Sequence, residues 1–230
     1  MKCLIFDCGG VIVYPRLGEW NLPFGIFDIL GTRARDIYTA RYVLAQRQAA
    51  AQWLDESRLV ATVEEERRLR REYIRSLNAL MGWQMTEAEV SALTDDFTDN
   101  IRRFGFFEDV KPWLERWKER YRLGVLSDAM PSTLEFLRRY GILDLFDAAV
   151  ISTHVEATKP DPRMYEAVLD RLHARPEDCL FVDDRACNLE GAVSAGMRAV
   201  QMARAAFLPD KLWDGPVVRD FEALNKWIEA

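Results

Sequence analysis

The chain has 230 residues, of which 49% are hydrophobic and 30% charged, a composition that is typical of a folded globular protein and excludes a disordered or collagen-like chain. Its formal net charge of −6 provides no positive field, so we predict no nucleic-acid and no membrane partner. Because no apolar run approaches the roughly 18 residues of a membrane span and the N-terminus lacks a signal-peptide pattern, we expect a cytoplasmic location.

Short apolar runs predict the strands of a parallel sheet. These runs are residues 3–6, 123–126, 148–151, 180–182 and 199–202. Strands without a polar face suit a sheet that is covered by helices on both sides. Between the runs, Ser132 with Glu135 has the spacing of a capping box, and Asp161 before Pro162 has the pattern of a helix start. This alternation predicts the α/β class, with a Rossmann-like, doubly wound parallel sheet.

The segment between the first two runs predicts a helical insertion. It is about 115 residues long, far more than one crossover helix needs. Thr62 with Glu65, and Thr86 with Glu89, have capping-box spacing, and we expect three or four helices here. The mixed charges of residues 64–72 are interpreted as a solvated helix face. The predicted domains are an α/β core of residues 1–17 and 101–230 and a helical cap of residues 18–100.

Polar side chains follow the predicted strands at the points where the strands end. They are Asp7 after the first strand, Ser127 and Asp128 after the second, Lys159 beyond the third, and Asp183 and Asp184 after the fourth. Carboxyl ends of parallel strands meet at one edge of a sheet, so we expect these groups to converge. Three acidic side chains repel one another unless a cation lies among them, and Mg²⁺ prefers oxygen ligands. The pattern predicts a site for phosphoryl transfer with Mg²⁺ as cofactor.

These residue types suggest a division of roles. Asp7 can attack phosphorus through a free carboxylate oxygen and form an aspartyl-phosphate. Ser127 and Lys159 can hold phosphoryl oxygens, and backbone N–H groups next to glycine can approach phosphate closely because glycine has no Cβ. The predicted catalytic residues are therefore Asp7, Ser127 and Lys159. The predicted phosphate-binding residues are Cys8, Gly9, Ser127, Asp128 and Lys159.

Four motifs follow the predicted strands in order along the chain. They are FDCGGV at residues 6–11, GVLSD at 124–128, KPDP at 159–162 and FVDDR at 181–185. This set resembles the four motifs of the haloacid dehalogenase superfamily, in the same order. Over nearly its whole length the sequence resembles the phosphatases of that superfamily with a helical cap inserted after the first motif. The resemblance implies that Asp7 is the nucleophile and that Ser127 and Lys159 hold phosphate. It also implies a Mg²⁺ held by Asp7, the Gly9 backbone carbonyl and Asp184, with Asp183 in support.

The sequence departs from the family pattern at Gly9. Phosphatases of the superfamily usually carry a second aspartate there, which acts as general acid and then as general base. A positioned acid or base is typically worth ~10²–10⁴ in rate, so we expect a slow enzyme on poor leaving groups. Asp128, Tyr14 and Glu19 are candidate substitutes, and transfer of the proton by water or by the substrate itself is the preferred alternative.

Three functions remain open from the sequence. The leading one is a Mg²⁺-dependent phosphatase for a small phosphorylated metabolite, such as a sugar phosphate. The second is a regulatory protein that binds phosphate and metal without efficient turnover. The third is a 2-haloacid dehalogenase, in which the aspartate attacks carbon. Asp183 and Asp184 argue against the third, because two more negative charges disfavour an anionic haloacid when no metal is bound. The sequence does not distinguish a monomer from a homodimer.

Overall fold

The chain divides into two compact units in the computed structural model, which describes residues 1–54, 60–205, 208–209 and 211–230. Unit 1 comprises Met1–Tyr14, Gly105–Ala129 and Thr133–Ala230, and unit 2 comprises Pro15–Phe104 and Met130–Ser132. Across these described ranges, no helix is both long enough and apolar enough to cross a membrane.

A parallel sheet of six strands forms the centre of unit 1. The strands of the chain are β1 Cys3–Phe6, β2 Val13–Pro15, β3 Phe104–Phe106, β4 Arg122–Ser127, β5 Ala148–Ile151, β6 Cys179–Asp183, β7 Arg198–Met202 and β8 Val217–Val218. The order in the large sheet is β5-β4-β1-β6-β7-β8, with every neighbouring pair parallel, while β2 and β3 form a separate pair. All five runs that were predicted to be strands lie in the large sheet, which confirms the predicted α/β class.

Helices cover both faces of this sheet. The helices of the chain are α1 Ile26–Leu30, α2 Ala40–Trp53, α3 Val63–Met81, α4 Glu87–Asp99, α5 Val110–Lys118, α6 Ser132–Arg139, α7 Ser152–Val155, α8 Pro162–Leu172, α9 Ala186–Ser194 and α10 Phe221–Glu229. On one face, Ile5 of β1 lies in a buried cluster with Val168 of α8 and Leu189 of α9. On the other face, the ring of Phe6 lies 5.7 Å from Trp117 of α5. This alternation is the period of two that a β-strand imposes on its side chains.

Unit 2 is a helical bundle with its own core. Tyr73 and Leu77 of α3 and Phe97 of α4 are fully buried in one apolar cluster. Both predicted capping boxes are present at the starts of these helices: Thr62 and Thr86 each accept a hydrogen bond from the backbone of the glutamate three residues on, and that glutamate bonds back. Helices α3 and α4 therefore begin with the predicted caps and pack as amphipathic helices do.

Two local predictions in this region are wrong. Residues 64–72 are not uniformly solvated, because Glu66 is fully buried and Arg70 is 6% exposed. Ser132 does not form a capping box with Glu135. Instead, its backbone N–H and its hydroxyl both donate to the Glu66 carboxylate, each at 2.9 Å. A partner that is distant in sequence thus replaces the local cap and explains why a carboxylate can be buried here.

Candidate active site

Three predicted metal ligands meet at the carboxyl edge of the large sheet. Strands β1 and β6 are neighbours in register, and the N–H of Asp7, just beyond β1, donates to the Val182 carbonyl at 2.8 Å. Asp183 ends β6, and Asp184 follows it. The carboxylates of Asp7, Asp183 and Asp184 are buried, and each offers an oxygen within 4.8 Å of the other two. The sequence pattern therefore corresponds to a cluster in space.

Lys159 lies inside this cluster. Its Nζ donates to Asp183 Oδ2 at 2.6 Å, to Asp7 Oδ1 at 2.8 Å and to the Leu126 carbonyl at 3.1 Å. Burial lowers the pKa of Lys159, but the carboxylates of Asp183 and Asp7 outweigh burial and hold that pKa above its ordinary value. The lysine is therefore a permanent cation, and it supplies one positive charge among three carboxyl groups.

The carboxyl groups show the effect of this imbalance. Burial raises the pKa of Asp7 to about 6, even though Lys159 opposes the shift. Burial, together with the nearby carboxylates of Asp7 and Asp183, raises the pKa of Asp184 to about 8. The donor set is all oxygen and has more negative charge than one lysine neutralises. It therefore fits a hard divalent cation such as Mg²⁺.

The loop after Asp7 presents backbone groups next to the carboxylates. Gly10 has a φ of +70°, and the Cys8 carbonyl accepts hydrogen bonds from Ile12 and Val13, so the backbone turns sharply. Within the described residues, the N–H groups of Cys8 and Gly9 donate to no other backbone group. Burial is the main cause of a raised pKa of the Cys8 thiol, and the Asp7 carboxylate adds to the shift, so this thiol stays protonated.

The register of β4 determines where Ser127 and Asp128 lie. Phe6 pairs with Val125, so Ser127 lies at the same edge as Asp7, and it is 3% exposed. Oδ1 of Asp128 accepts a hydrogen bond from the backbone N–H of Lys159 at 2.9 Å. This hydrogen bond fixes the backbone of Lys159 next to Asp128. Direct contact of Ser127 or Asp128 with phosphate stays a prediction.

Two amides support the acidic pair of β6. Asn188 donates to both oxygens of Asp183, at 3.1 and 3.0 Å, and the backbone N–H of Arg185 donates to Asp183 Oδ1 at 2.8 Å. Gln201, fully buried on β7, donates to the Asp184 carbonyl at 2.8 Å. Our sequence analysis did not identify Gln201. Its one signal in the sequence is that it is a polar residue inside an apolar strand.

Known proteins resemble this chain in sequence. A family model described as haloacid dehalogenase-like hydrolase matches residues 1–196. Phosphatase MT3486 of Mycobacterium tuberculosis is 37% identical over 127 residues, which cover 54% of this chain and 56% of the relative. A glyceraldehyde 3-phosphate phosphatase of Methanopyrus kandleri is 31% identical over 119 residues, which cover 50% of this chain and 51% of the relative. The chain thus matches about half the length of these curated relatives.

The fold is also shared with a solved structure over the full chain. An L-2-haloacid dehalogenase from Xanthobacter autotrophicus superimposes with a TM-score of 0.68 and 18% identity, covering 100% of this chain and 99% of that chain. At this identity the likeness concerns the fold alone. Since the family model covers most of the sequence, the chain belongs to the haloacid dehalogenase-like hydrolases.

Proposed function

We propose that the protein is a Mg²⁺-dependent phosphatase that acts on a small phosphorylated metabolite, with sugar phosphates as the preferred class. The observation that carries this proposal is the buried cluster in which Asp7 meets Lys159, Asp183 and Asp184. A carboxylate nucleophile, a lysine and further carboxylates are the groups that phosphoryl transfer through an aspartyl-phosphate requires.

Asp7 is proposed as the nucleophile. Lys159 binds its Oδ1 at 2.8 Å, which orients the carboxylate and leaves the second oxygen for attack. That oxygen forms a bond to phosphorus while the ester P–O bond breaks and the alcohol departs. Water then attacks the same phosphorus, the bond to Asp7 breaks, and inorganic phosphate leaves with the carboxylate restored.

The cation site is proposed to comprise Asp7, the Gly9 backbone carbonyl and Asp184. Asp183 is assigned a positioning role, because Lys159, Asn188 and the Arg185 N–H already donate to its two oxygens. Within the described residues, no side-chain donor reaches the Asp184 carboxylate. When bound, Mg²⁺ would neutralise the excess carboxylate charge and polarise the phosphoryl group.

The substrate phosphate is proposed to lie against the loop after Asp7. The N–H groups of Cys8 and Gly9 and the Ser127 hydroxyl are its expected donors. The Lys159 ammonium, whose three N–H groups donate to Asp7, Asp183 and the Leu126 carbonyl, is expected to exchange one of these bonds for a phosphoryl oxygen. A protein of net charge −6 needs such a local donor set to hold an anion.

Proton transfer is the unusual part of the proposed reaction. Gly9 has no acidic side chain, and Oδ1 of Asp128 accepts a hydrogen bond from the Lys159 backbone N–H. Of the alternatives that the sequence leaves open, we propose that solvent or the substrate itself donates the proton. Substrates with stabilised leaving groups should therefore react fastest. Anomeric sugar phosphates satisfy this condition. The Methanopyrus kandleri relative is named for glyceraldehyde 3-phosphate, a primary alkyl ester, so its name supports the broader class of small sugar phosphates and not the anomeric ester.

Hydrolysis of p-nitrophenyl phosphate tests the proposal, because the nitrophenolate leaving group needs no acid. We expect turnover with Mg²⁺, none with a chelator, and a loss of about 10⁴-fold or more in Asp7→Asn, the scale seen when a nucleophile is removed. Asp144→Asn, at an exposed position, is the matched control and should behave as the wild type.

Other outcomes would select the alternative functions. A folded wild type that binds Mg²⁺ and phosphate but hydrolyses neither aryl nor sugar phosphates would favour a regulatory binding protein. Chloride release from 2-chloropropionate without Mg²⁺ would favour a dehalogenase. The cluster argues against that reaction, because Asp183 and Asp184 add negative charge beside the nucleophile.

A further inference from the structure

A buried arginine reaches the loop after Asp7 from the end of β7. Arg204 is 5% exposed, and its Nη2 donates to the Val11 carbonyl at 3.0 Å. Its Nη1 lies 2.8 Å from each oxygen of Asp109, just before α5. The guanidinium also lies over the rings of Phe107 and Phe221, with its central carbon 4.2 and 4.9 Å from their centroids. The side chain therefore connects four segments of unit 1.

The far end of this connection is rigid. Oδ2 of Asp109 also accepts a hydrogen bond from the N–H of Phe221 at 2.8 Å, at the start of α10. The two aromatic rings and the Asp109 carboxylate restrict the motion of the Arg204 guanidinium. The planar guanidinium can donate to the Asp109 carboxylate and to the Val11 carbonyl at the same time. The Val11 carbonyl is therefore held against the ends of α5 and α10.

Val11 belongs to the backbone turn that carries the predicted phosphate and metal ligands. It stands two residues beyond Gly9 and one beyond Gly10, in the loop of residues 8–13. Hydrogen bonds inside the loop close the turn, with the Gly10 N–H donating to the Val13 carbonyl at 2.8 Å. These bonds fix the shape of the turn, whereas the Arg204 contact fixes its position relative to the sheet.

We propose that Arg204 is a positioning residue that holds the loop of residues 8–13 in the place where the Gly9 carbonyl and the Cys8 and Gly9 N–H groups serve the reaction. This inference rests on the proposed function for its catalytic consequence. Loss of a contact that orients ligand groups typically costs about 10–100-fold in metal affinity or activity.

Arg204→Lys is the sharpest test. Lysine keeps the charge opposite Asp109 but lacks the fork that reaches the Val11 carbonyl as well. We expect calorimetric titration with Mg²⁺ alone to show an affinity about tenfold weaker, and p-nitrophenyl phosphate hydrolysis to show a similar fall in kcat/KM. The matched control is Arg198→Lys, at the opposite end of β7, where an exposed guanidinium stacks on Trp227 at 4.8 Å. The control should match the wild type.

Amide hydrogen exchange separates this inference from the proposed function. In Arg204→Lys the amides of residues 8–13 should exchange about tenfold faster while those of β1 and β6 are unchanged. Wild-type exchange and wild-type Mg²⁺ affinity in Arg204→Lys would overturn the inference, as would uniformly faster exchange across the sheet. The wild type could also neither bind Mg²⁺ nor turn over while the loop still exchanges faster in Arg204→Lys than in the wild type. That result would refute the proposed function and leave the inference about the loop standing.

A second variant covers the case in which Arg204→Lys does not fold. Arg204→Gln combined with Asp109→Asn removes both charges of the pair and leaves no buried ion unpaired. The same loss of Mg²⁺ affinity and the same local rise in exchange are expected. An affinity equal to that of the wild type would overturn the inference in this background too.

Discussion

Two clusters of buried charge, one in each unit, differ in how their charges are balanced. The sheet-edge cluster of unit 1 comprises Asp7, Lys159, Asp183 and Asp184. The helical cluster of unit 2 comprises Glu66, Arg70 and Arg103. All seven side chains belong to residues that are at most 8% exposed. Charged groups are rarely buried unless they are paired, so each cluster needs a physical account.

The helical cluster is closed by groups of the protein. Arg70 donates to Asn21 Oδ1 at 3.0 Å, and Arg103 donates to the Trp20 carbonyl at 3.0 Å. Both guanidiniums lie over the ring of Phe97, at 4.5 and 4.7 Å from its centroid. Burial lowers the pKa of Arg103 to about 9, and Arg70 adds to that shift. The helical cluster thus has two guanidiniums and one carboxylate, and its excess positive charge faces carbonyl oxygens and an aromatic ring.

The sheet-edge cluster carries an excess that the protein leaves unbalanced. Three carboxyl groups share one lysine, and the pKa values of Asp7 and Asp184 are raised to about 6 and about 8. A buried excess of one sign therefore does not by itself indicate a functional site. An excess on carboxylate oxygens that can bind one ligand together, and that the protein neutralises only in part, does.

Lys159→Met should have the largest effect on the sheet-edge cluster. It removes the one cation of the sheet-edge cluster, so we expect a loss of about 3–5 kcal/mol in the free energy of unfolding without Mg²⁺. Activity should fall about 10²–10³-fold, since a donor to the reacting phosphoryl group is lost. Urea denaturation and p-nitrophenyl phosphate kinetics measure the two effects.

Mg²⁺ should restore part of the stability of Lys159→Met, because a divalent cation replaces the lost positive charge. Lys226→Met, which removes an exposed lysine paired with Glu222, is the control and should change little. A stability of Lys159→Met that does not respond to Mg²⁺ would show that the cluster is not a cation site.

Glu66→Gln probes the helical cluster. The amide keeps the shape of the side chain but removes the charge opposite Arg70 and presents an NH₂ group to the donors of Ser132. We expect a loss of about 2–3 kcal/mol in the free energy of unfolding, with no dependence on Mg²⁺. Glu64→Gln, on the exposed side of α3, is the control. A loss that Mg²⁺ reverses would contradict the distinction between the clusters.

The sequence predicts the sheet-edge cluster better than the helical one for a physical reason. Parallel strands bring their carboxyl ends to one edge, so Asp7 and Asp183 could be placed together from strand ends alone. The contact of Glu66 with Ser132 joins positions 66 residues apart, and no local periodicity encodes it. The mixed charges of residues 64–72 have helical spacing whether they face solvent or the core.

Positioning contacts escape sequence analysis for the same reason. Gln201 and Arg204 act through backbone carbonyls of Asp184 and Val11, which any residue type offers. The short strands β2, β3 and β8 were also not predicted, since runs of two or three residues show no usable period.

Asp184→Asn should stabilise the metal-free protein, whereas the other substitutions in the two clusters should destabilise it. Burial raises the pKa of Asp184 to about 8, so at neutral pH the folded metal-free protein must hold a proton on this carboxyl that the unfolded chain has released, and this proton uptake opposes folding. We expect the neutral amide, which needs no proton, to stabilise that form by about 2–4 kcal/mol, since each pH unit between about 3.9 and neutral pH corresponds to at most about 1.36 kcal/mol. It should also abolish the stabilisation by Mg²⁺. Destabilisation by Asp184→Asn without metal would contradict the excess of negative charge.

The pH profile checks the same point. An aspartate of the unfolded chain has a pKa of about 3.9, whereas burial raises the pKa of Asp7 to about 6 and that of Asp184 to about 8 in the folded protein. Between these values the folded state holds protons that the unfolded chain has released. The stability of the metal-free wild type should therefore fall as the pH rises from about 4 to about 8. In Asp184→Asn the fall should end near the pKa of Asp7.

Ser132→Ala tests the helical cluster with the smallest change. It removes the hydroxyl that donates to Glu66 Oε1 and keeps the backbone N–H that donates to Oε2, so the carboxylate retains a donor and the nearby guanidinium of Arg70. We expect a loss of about 1 kcal/mol, the usual net value of one hydrogen bond, with no effect of Mg²⁺. Urea denaturation of Ser132→Ala, Glu66→Gln and the double variant measures how strongly the two side chains are coupled. Additive losses would show that the Glu66 charge is balanced by other groups, whereas a coupling of about 1 kcal/mol would confirm that the hydroxyl serves the carboxylate.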